Sequence, residues 1–223
     1  VKITRNRQSG MKGKFMGLVE KSELEKNENH CPNVNECGGC AYQRLDYDTE
    51  IKLKENMIIK LLEKENIDYK DHIKVNKSPK IYEYRNKMEY TFGDSIKDGP
   101  LVLGLHKQAR FYEIVDTKVC NIVDGDFNLL RESIQEFFRK KGTSFYHKKT
   151  RQGLLRHCII RKAMKTGQIM VILVTSSDPS FDQTLKDEFI EELLASKTYG
   201  EVVSIFHVTN DALADAVVVE KME

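Results

Sequence analysis

Three thiols stand within ten residues of one another in the stretch CPNVNECGGC, at Cys31, Cys37 and Cys40. A Cys-x5-Cys-x2-Cys run on a loop lets three sulfurs converge on one centre, and Gly38 and Gly39 supply the backbone freedom that such a wrap requires. Thiolates at this spacing are ligands. Zinc sites usually pair two Cys-x2-Cys or His-containing knuckles, whereas here one pair follows a lone Cys and the chain has no second pair. The spacing therefore leans towards iron and sulfide, with zinc as the lesser option. A cubane cluster takes a fourth thiolate, and the two remaining cysteines, Cys120 and Cys158, are both candidates. Core packing is the plain alternative for any cysteine, but it fits poorly with three of them on a loop of Pro, Asn, Glu and Gly. Disulfides fit poorly as well, because the count of five is odd and the N-terminus carries no signal-peptide pattern. The expected compartment is reducing and cytoplasmic.

A second chemistry is carried by charge. Lys and Arg number 36 against 34 Asp and Glu, so the net charge of +2 says little about partners. Its distribution says more. Lys2, Arg5, Arg7, Lys12 and Lys14 occur with no acid among residues 1–14, and ten Lys or Arg occupy 139–165 without one Asp or Glu. A basic surface of this kind can neutralise phosphates and gain affinity by counterion release. A solvated basic loop is the competing reading.

These residues need elements to position them. With 223 residues the chain is long enough for one large or two modest domains, and no run of eighteen apolar residues predicts a membrane span. Residues 1–4 and 15–19 read as short strands around a basic turn. A helix is expected from Asp46 or Asp48 to about Asn66, burying Leu53, Met57, Ile58, Leu61 and Leu62. From Arg85 the period becomes two, with Met88, Tyr90 and Phe92 on one face. Strands at 101–105 and 111–115 complete an antiparallel meander whose end delivers Cys120 to a loop. A second helix follows from Asp124 or Asp126, with Phe127, Leu130, Ile134, Phe137 and Phe138 inward, ending at Gly142. A hairpin at 154–163 and 168–175 turns at Gly167. A helix capped by Asp178, with Pro179 at its first position, and a strand at 202–208 close the series. The fold class is α+β: a β-meander followed by a β-β-α-β central domain.

The segments CPNVNECGGCAYQRLDYDTEIKLK, SPKIYEYRNKMEYTFG, LGLHKQARFYEIVDTKVCNI and GLLRHCIIRKAMKTGQIMVILVT resemble, in order, the RumA-type RNA uracil-5-methyltransferases that carry an iron–sulfur cluster. The resemblance spans about residues 30–220. It implies a 4Fe-4S cluster held by Cys31, Cys37, Cys40 and Cys120, the last standing 120 − 40 = 80 residues after the third. Cys158 is then a packing residue. It also implies that 1–30 is the end of a TRAM-like β-barrel, that 31–75 is the cluster loop and helix, and that 76–223 is a central RNA-recognition domain. Family members carry an S-adenosylmethionine domain after the matched region, so this chain is expected to hold no catalytic or S-adenosylmethionine-binding residue and to be inactive alone. The implied substrate is RNA, first 23S ribosomal RNA, with transfer RNA or a non-catalytic RNA-binding iron–sulfur module as alternatives. In the whole enzyme a cysteine adds to C6 of uracil, C5 takes the methyl group, and a base removes the C5 proton. The residues expected on RNA are Arg85, Lys87, Lys107, Arg110, Arg156 and Arg161, with Tyr84, Phe111 or Tyr146 available for stacking. A monomer without membrane association is expected.

Overall fold

The computed structural model describes every residue except 8, 9, 15, 18, 29, 30, 70–72 and 214–216, together with the side chains of Arg7 and Phe111. It divides into two compact units, one of residues 1–29 and 44–75, the other of 30–43 and 76–223. The region 31–75, expected as a single piece, is thus split. Its cysteine loop is compact with the large unit, and its helix with the N-terminal residues.

In the small unit, β1 (Lys2–Arg7) and β2 (Gly10–Lys14) form an antiparallel hairpin. The second strand lies earlier than the expected 15–19, of which residues 15 and 18 fall outside the described set. This hairpin by itself assigns no barrel. Helix α1 (Tyr47–Lys64) begins where Asp46 accepts a hydrogen bond from the Thr49 N–H at 2.8 Å, as an N-cap should. Its apolar stripe is not the buried face the periodicity predicts. Met57, Ile58 and Leu61 are exposed, Leu53 and Leu62 half-buried, and only Ile51 is buried. The physical reason is the lack of a covering layer within this unit, where every described side chain of β1 and β2 is exposed.

The large unit is built on a seven-stranded sheet. Its strands are β3 (Lys87–Asp94), β4 (Leu101–Lys107), β5 (Arg110–Val115), β6 (Leu155–Lys162), β7 (Gln168–Thr175), β8 (Glu201–Thr209) and β9 (Lys221–Met222), in the order β5-β4-β3-β6-β7-β8-β9. All neighbours are antiparallel except β7 and β8, which are joined by the crossover that a parallel pair requires. Helices α2 (Gly125–Lys140) and α3 (Gln183–Ala195) cover one face. Met88, Tyr90 and Phe92 of β3 point into this core, where Phe92 meets Phe138 edge-on at 5.7 Å and Phe138 meets Phe189 at 5.1 Å. The alternation in the sequence is this geometry, since successive strand residues face opposite sides.

Two boundaries differ from expectation. Helix α3 is capped by Asp182, which accepts from the Leu185 N–H at 2.9 Å, whereas Asp178 accepts from Ser180 N–H at 2.9 Å in a turn upstream. Pro179 therefore lies in that turn. The two-residue β9 was not expected at all, because it pairs only at the end of β8. Among the described residues, no helix is long and apolar enough to cross a membrane.

Candidate functional site

Cys31, Cys37 and Cys40 all line one small cavity with Cys120. Several interactions bring the loop and the distant thiol together. Gly38 N–H donates to the His106 carbonyl at 3.0 Å, and Gln108 N–H donates to the Glu36 carbonyl at 2.7 Å, so the loop docks on the β4–β5 hairpin. Gln43 and Asn121 exchange amide hydrogen bonds at 3.1 and 3.2 Å. Asn33 Nδ2 donates to the Val119 carbonyl at 3.4 Å. The glycines keep the loop close to its neighbours here. A Cβ on Gly38 would stand 3.1 Å from the His106 carbonyl oxygen, and one on Gly39 would meet Leu105 Cδ1 at 3.2 Å and Cys37 Sγ at 3.4 Å.

Cys120 is held from the other side. Asn128, in the first turns of α2, accepts from the Cys120 N–H at 3.0 Å and donates to its carbonyl at 3.2 Å. Upstream, the wholly buried Arg131 donates to Asp116 Oδ1 and to the Leu103 carbonyl, both at 2.9 Å. The segment 116–120 is thus fastened at both ends before any ligand is considered. None of Gln43, Asn121 and Asn128 was singled out in the sequence. Gln43 and Asn121 lie inside the resembling segments, while Asn128 carries no signal of its own.

Burial pushes the Cys120 thiol up to about 11, and the neighbouring Cys31, Cys40 and Cys37 add to the push. Cys37 is raised by burial first and then by Cys40 and Cys31, against the Gly39 N–H, which reaches Cys37 Sγ at 3.4 Å. Clustered thiols resist joint ionisation unless positive charge arrives to share their electrons. Tyr90 is fully buried, its hydroxyl has no hydrogen-bond partner among the described residues, and it is electrostatically coupled to Cys120. The donor set is soft, with no carboxylate or imidazole among the lining residues, a chemistry that suits iron–sulfur or zinc ligation. Among the described residues, no three or more His, Cys, Asp or Glu come together as a site for a metal ion. As placed, the thiols surround a cavity without meeting at one coordination point. Cys158 is a fully buried free thiol on β6, and burial raises its pKa.

The six expected RNA contacts do not share one environment. β3 starts, β4 ends, β5 starts and β6 ends at the same end of the sheet. Five of the six lie there. Lys87 faces Arg161 in the β3–β6 register. Arg85, just before β3, donates from Nε to the Lys87 carbonyl at 2.9 Å and is exposed, as is Arg161. Lys107 and Arg110 flank the β4–β5 turn and share Glu113, at 3.3 and 2.9 Å. The backbone of Lys107 forms an isolated antiparallel β-bridge with that of Cys37, so this basic edge adjoins the cysteine loop. Arg156 differs. It is 3% exposed, donates to the Asn210 and Ala212 carbonyls at 2.5 and 2.8 Å, and lies 4.3 Å over the Tyr146 ring. A guanidinium so enclosed is committed to the fold, which corrects its expected place on RNA. Of the stacking candidates, Tyr84 is exposed and Tyr146 half-buried, while the Phe111 side chain lies outside the described residues.

No protein-family model matches the chain. It is 39% identical over its whole length to an uncharacterized RNA methyltransferase of Caldanaerobacter subterraneus subsp. tengcongensis, covering 48% of that protein. It is 38% identical, over 99% of its length, to an uncharacterized RNA methyltransferase of Clostridium tetani, again covering 48%. A third, from Clostridium acetobutylicum, is 43% identical over 84% of this chain, which covers 40% of that protein. The chain therefore spans about half the length of the curated relatives it matches. Among solved structures it is similar to Pyrococcus abyssi tRNA (uracil-54, C5)-methyltransferase in complex with S-adenosyl-L-homocysteine, with a TM-score of 0.67 and 22% identity. That match covers 98% of this chain and 45% of the other. At this identity the likeness is one of fold.

Proposed function

We propose that this chain is the cluster-binding and RNA-recognising part of an RNA uracil-5-methyltransferase that uses S-adenosylmethionine. The observation that carries the reading is the cavity at which the thiol of Cys120 joins Cys31, Cys37 and Cys40. Similarity along the whole of this chain to proteins named RNA methyltransferases, of which it covers about half, supports the activity of the whole protein. The group proposed at the cavity is a 4Fe-4S cluster with those four cysteines as ligands. When bound, it supplies four linked metal–thiolate bonds, a clamp between chain segments far apart in sequence.

The chain's own residues prepare that clamp. Gly38 and Gly39 let the loop lie against β4, Gln43 and Asn121 lock its end to the segment of Cys120, and Asn128 fixes the peptide of Cys120 itself. Beside it, Arg85, Lys87, Lys107, Arg110 and Arg161 form a basic edge for RNA phosphates, where Arg can clamp two oxygens and Lys contributes a point charge. The uridine to be methylated must leave its stack to be reached, so an auxiliary surface that grips the surrounding RNA lowers the work of presenting it. The whole protein is proposed to act as a cytoplasmic monomer. Ribosomal 23S RNA is the first substrate to test and transfer RNA the second, the latter favoured by the fold neighbour that acts on tRNA.

Iron and sulfide analysis of anaerobically prepared protein tests the cluster. Four irons per chain are expected, with loss in Cys120→Ser; a colourless protein whose four thiols all react with a thiol reagent refutes it. Methyl transfer by the full-length protein to 23S rRNA and tRNA transcripts tests the activity.

A further inference from the structure

The face of the sheet turned away from α2 and α3 carries a cleft distinct from the cysteine cavity. Its floor is Thr91 and Gly93 of β3, His106 of β4, and Tyr112 and Ile114 of β5, and it encloses about 260 Å³. The loop 144–149 forms a wall. Tyr146 N–H donates to the Leu155 carbonyl and His147 N–H to the Gln152 carbonyl, both at 2.7 Å. Gly153, at φ +110°, makes the return possible, since a Cβ there would stand 1.9 Å from the Phe145 carbonyl oxygen. Arg156 presses on the Tyr146 ring and is itself pinned by two carbonyls, so a buried cation fixes the aromatic wall.

The rim is cationic. Lys97, Lys148 and Lys149 line it, and Lys149 Nζ lies 5.5 Å over the ring of Tyr112, which is 55% exposed. Two carboxylates are also present, and both are engaged. Asp94 accepts from the Asp98 N–H at 2.9 Å, and Glu113 is held by Arg110 and Lys107. An exposed aromatic ring beside amines, over a floor where the Thr91 hydroxyl meets His106 Nε2 at 3.4 Å, matches one nucleotide: ring for base, amines for phosphate, polar floor for a base edge. The volume falls just under the ~300 Å³ at which small-molecule pockets begin, which suits a single base with part of its ribose better than a larger cofactor. A base within a duplex cannot present its face to Tyr112.

We propose that this cleft is a subsite for one unstacked nucleotide of single-stranded RNA, with the base on Tyr112 and the adjoining phosphate on Lys148 and Lys149. The proposal rests on the RNA reading above and extends it to residues outside the basic edge. It is tested by fluorescence anisotropy with labelled octauridylate, an abasic strand of the same length, and a duplex. Tyr112→Ala weakens octauridylate binding by roughly 5- to 160-fold, the range for loss of one base–aromatic stack, and leaves abasic and duplex binding unchanged. Tyr112→Phe binds octauridylate like the parent. Lys149→Ala weakens both single strands and lowers the salt slope by about one. Because Tyr112 is exposed, the variants should melt like the parent, and Tyr112→Leu, which also removes the ring, serves if the alanine variant does not. Equal binding of octauridylate by the parent and Tyr112→Ala overturns the proposal alone, as does an equal loss on the abasic strand. A parent chain that binds none of the three RNAs removes the RNA reading and this subsite together.

Discussion

Asn128→Ala is the most direct probe of how the fourth thiol is held. The side chain makes two hydrogen bonds to the peptide of Cys120, at 3.0 and 3.2 Å, and Cys120 is only 8% exposed. Each bond contributes about 1 kcal/mol net, and a buried N–H left unpaired costs about 1 to 3 kcal/mol. Alanine returns about 0.5 kcal/mol through its better helix propensity. The balance is a loss of about 2 kcal/mol, or about 4 to 8 °C in melting temperature for a domain of this size. Thermal unfolding of the metal-free chain measures that loss, and iron per chain after anaerobic reconstitution measures the effect on the site. Asn128→Asp separates the two readouts. It keeps the acceptor for the Cys120 N–H, yet turns the donor into a second acceptor facing the Cys120 carbonyl and sets a negative charge beside the thiols. It should therefore hold iron less well than its melting temperature alone suggests. If both variants melt like the parent and reconstitute fully, Asn128 does not position Cys120 and the argument for a pre-placed ligand is refuted.

Cys158→Ala should keep its full complement of iron, whereas serine at 31, 37, 40 or 120 should lower it; iron loss in Cys158→Ala would move the ligand assignment. Tyr90→Phe removes a buried hydroxyl without a partner among the described residues, so chemical denaturation of the metal-free chain should show unchanged or slightly greater stability. Lys162 bonds Asp124 at 2.6 Å and Asp126 at 2.7 Å, and Asp126 also accepts from the Tyr199 and Gly200 N–H groups. With Lys162 and Asp126 side chains 10% and 1% exposed, Lys162→Met should cost about 3–5 kcal/mol in a urea titration. Burial alone would raise Asp126, but the bonds from Lys162, Tyr199 and Gly200 hold it below the usual range. Its contribution is therefore complete above the ordinary aspartate value of about 3.9 and is lost as pH falls through the depressed one. Burial alone would likewise lower Lys162, yet the two carboxylates raise it, so its share is complete below about 10.4 and is lost only at higher pH. A parent whose stability falls between pH 5 and 9 for reasons absent in Lys162→Met would contradict this account. Gly153→Ala should unfold the wall of the cleft, seen as faster proteolysis within 144–153.

Much of the large unit was legible because its signals are local. Alternation in β3 and the helical spacing of Phe127, Leu130, Ile134 and Phe138 each follow from one element meeting one core face. What was missed depends on partners remote in sequence. Arg156 and Arg161 look alike in LLRHCIIRK, but the carbonyls that enclose Arg156 belong to residues 210 and 212. Asp178 and Asp182 are equivalent as caps until Ser180 claims the first in a turn. The stripe on α1 promised a layer that its own unit does not supply. The four cysteines were read from spacing and resemblance, while the amides that frame them are ordinary polar residues whose role exists only once the loop and α2 meet.

Arg131 has a consequence for the order in which parts of the protein can open. Its guanidinium joins α2, the Leu103 carbonyl of β4 and Asp116, at the head of the segment that ends in Cys120. Pulling that segment away would strand a positive charge in a dry interior, so helix, strand and segment come apart together or not at all. The amide of Cys120 should then exchange its hydrogen only when the whole sheet unfolds, while amides of the cysteine loop exchange through smaller, more frequent excursions. For the cluster proposed above, a loop that opens locally would gather the incoming metal and bring it to a fixed anchor at Cys120.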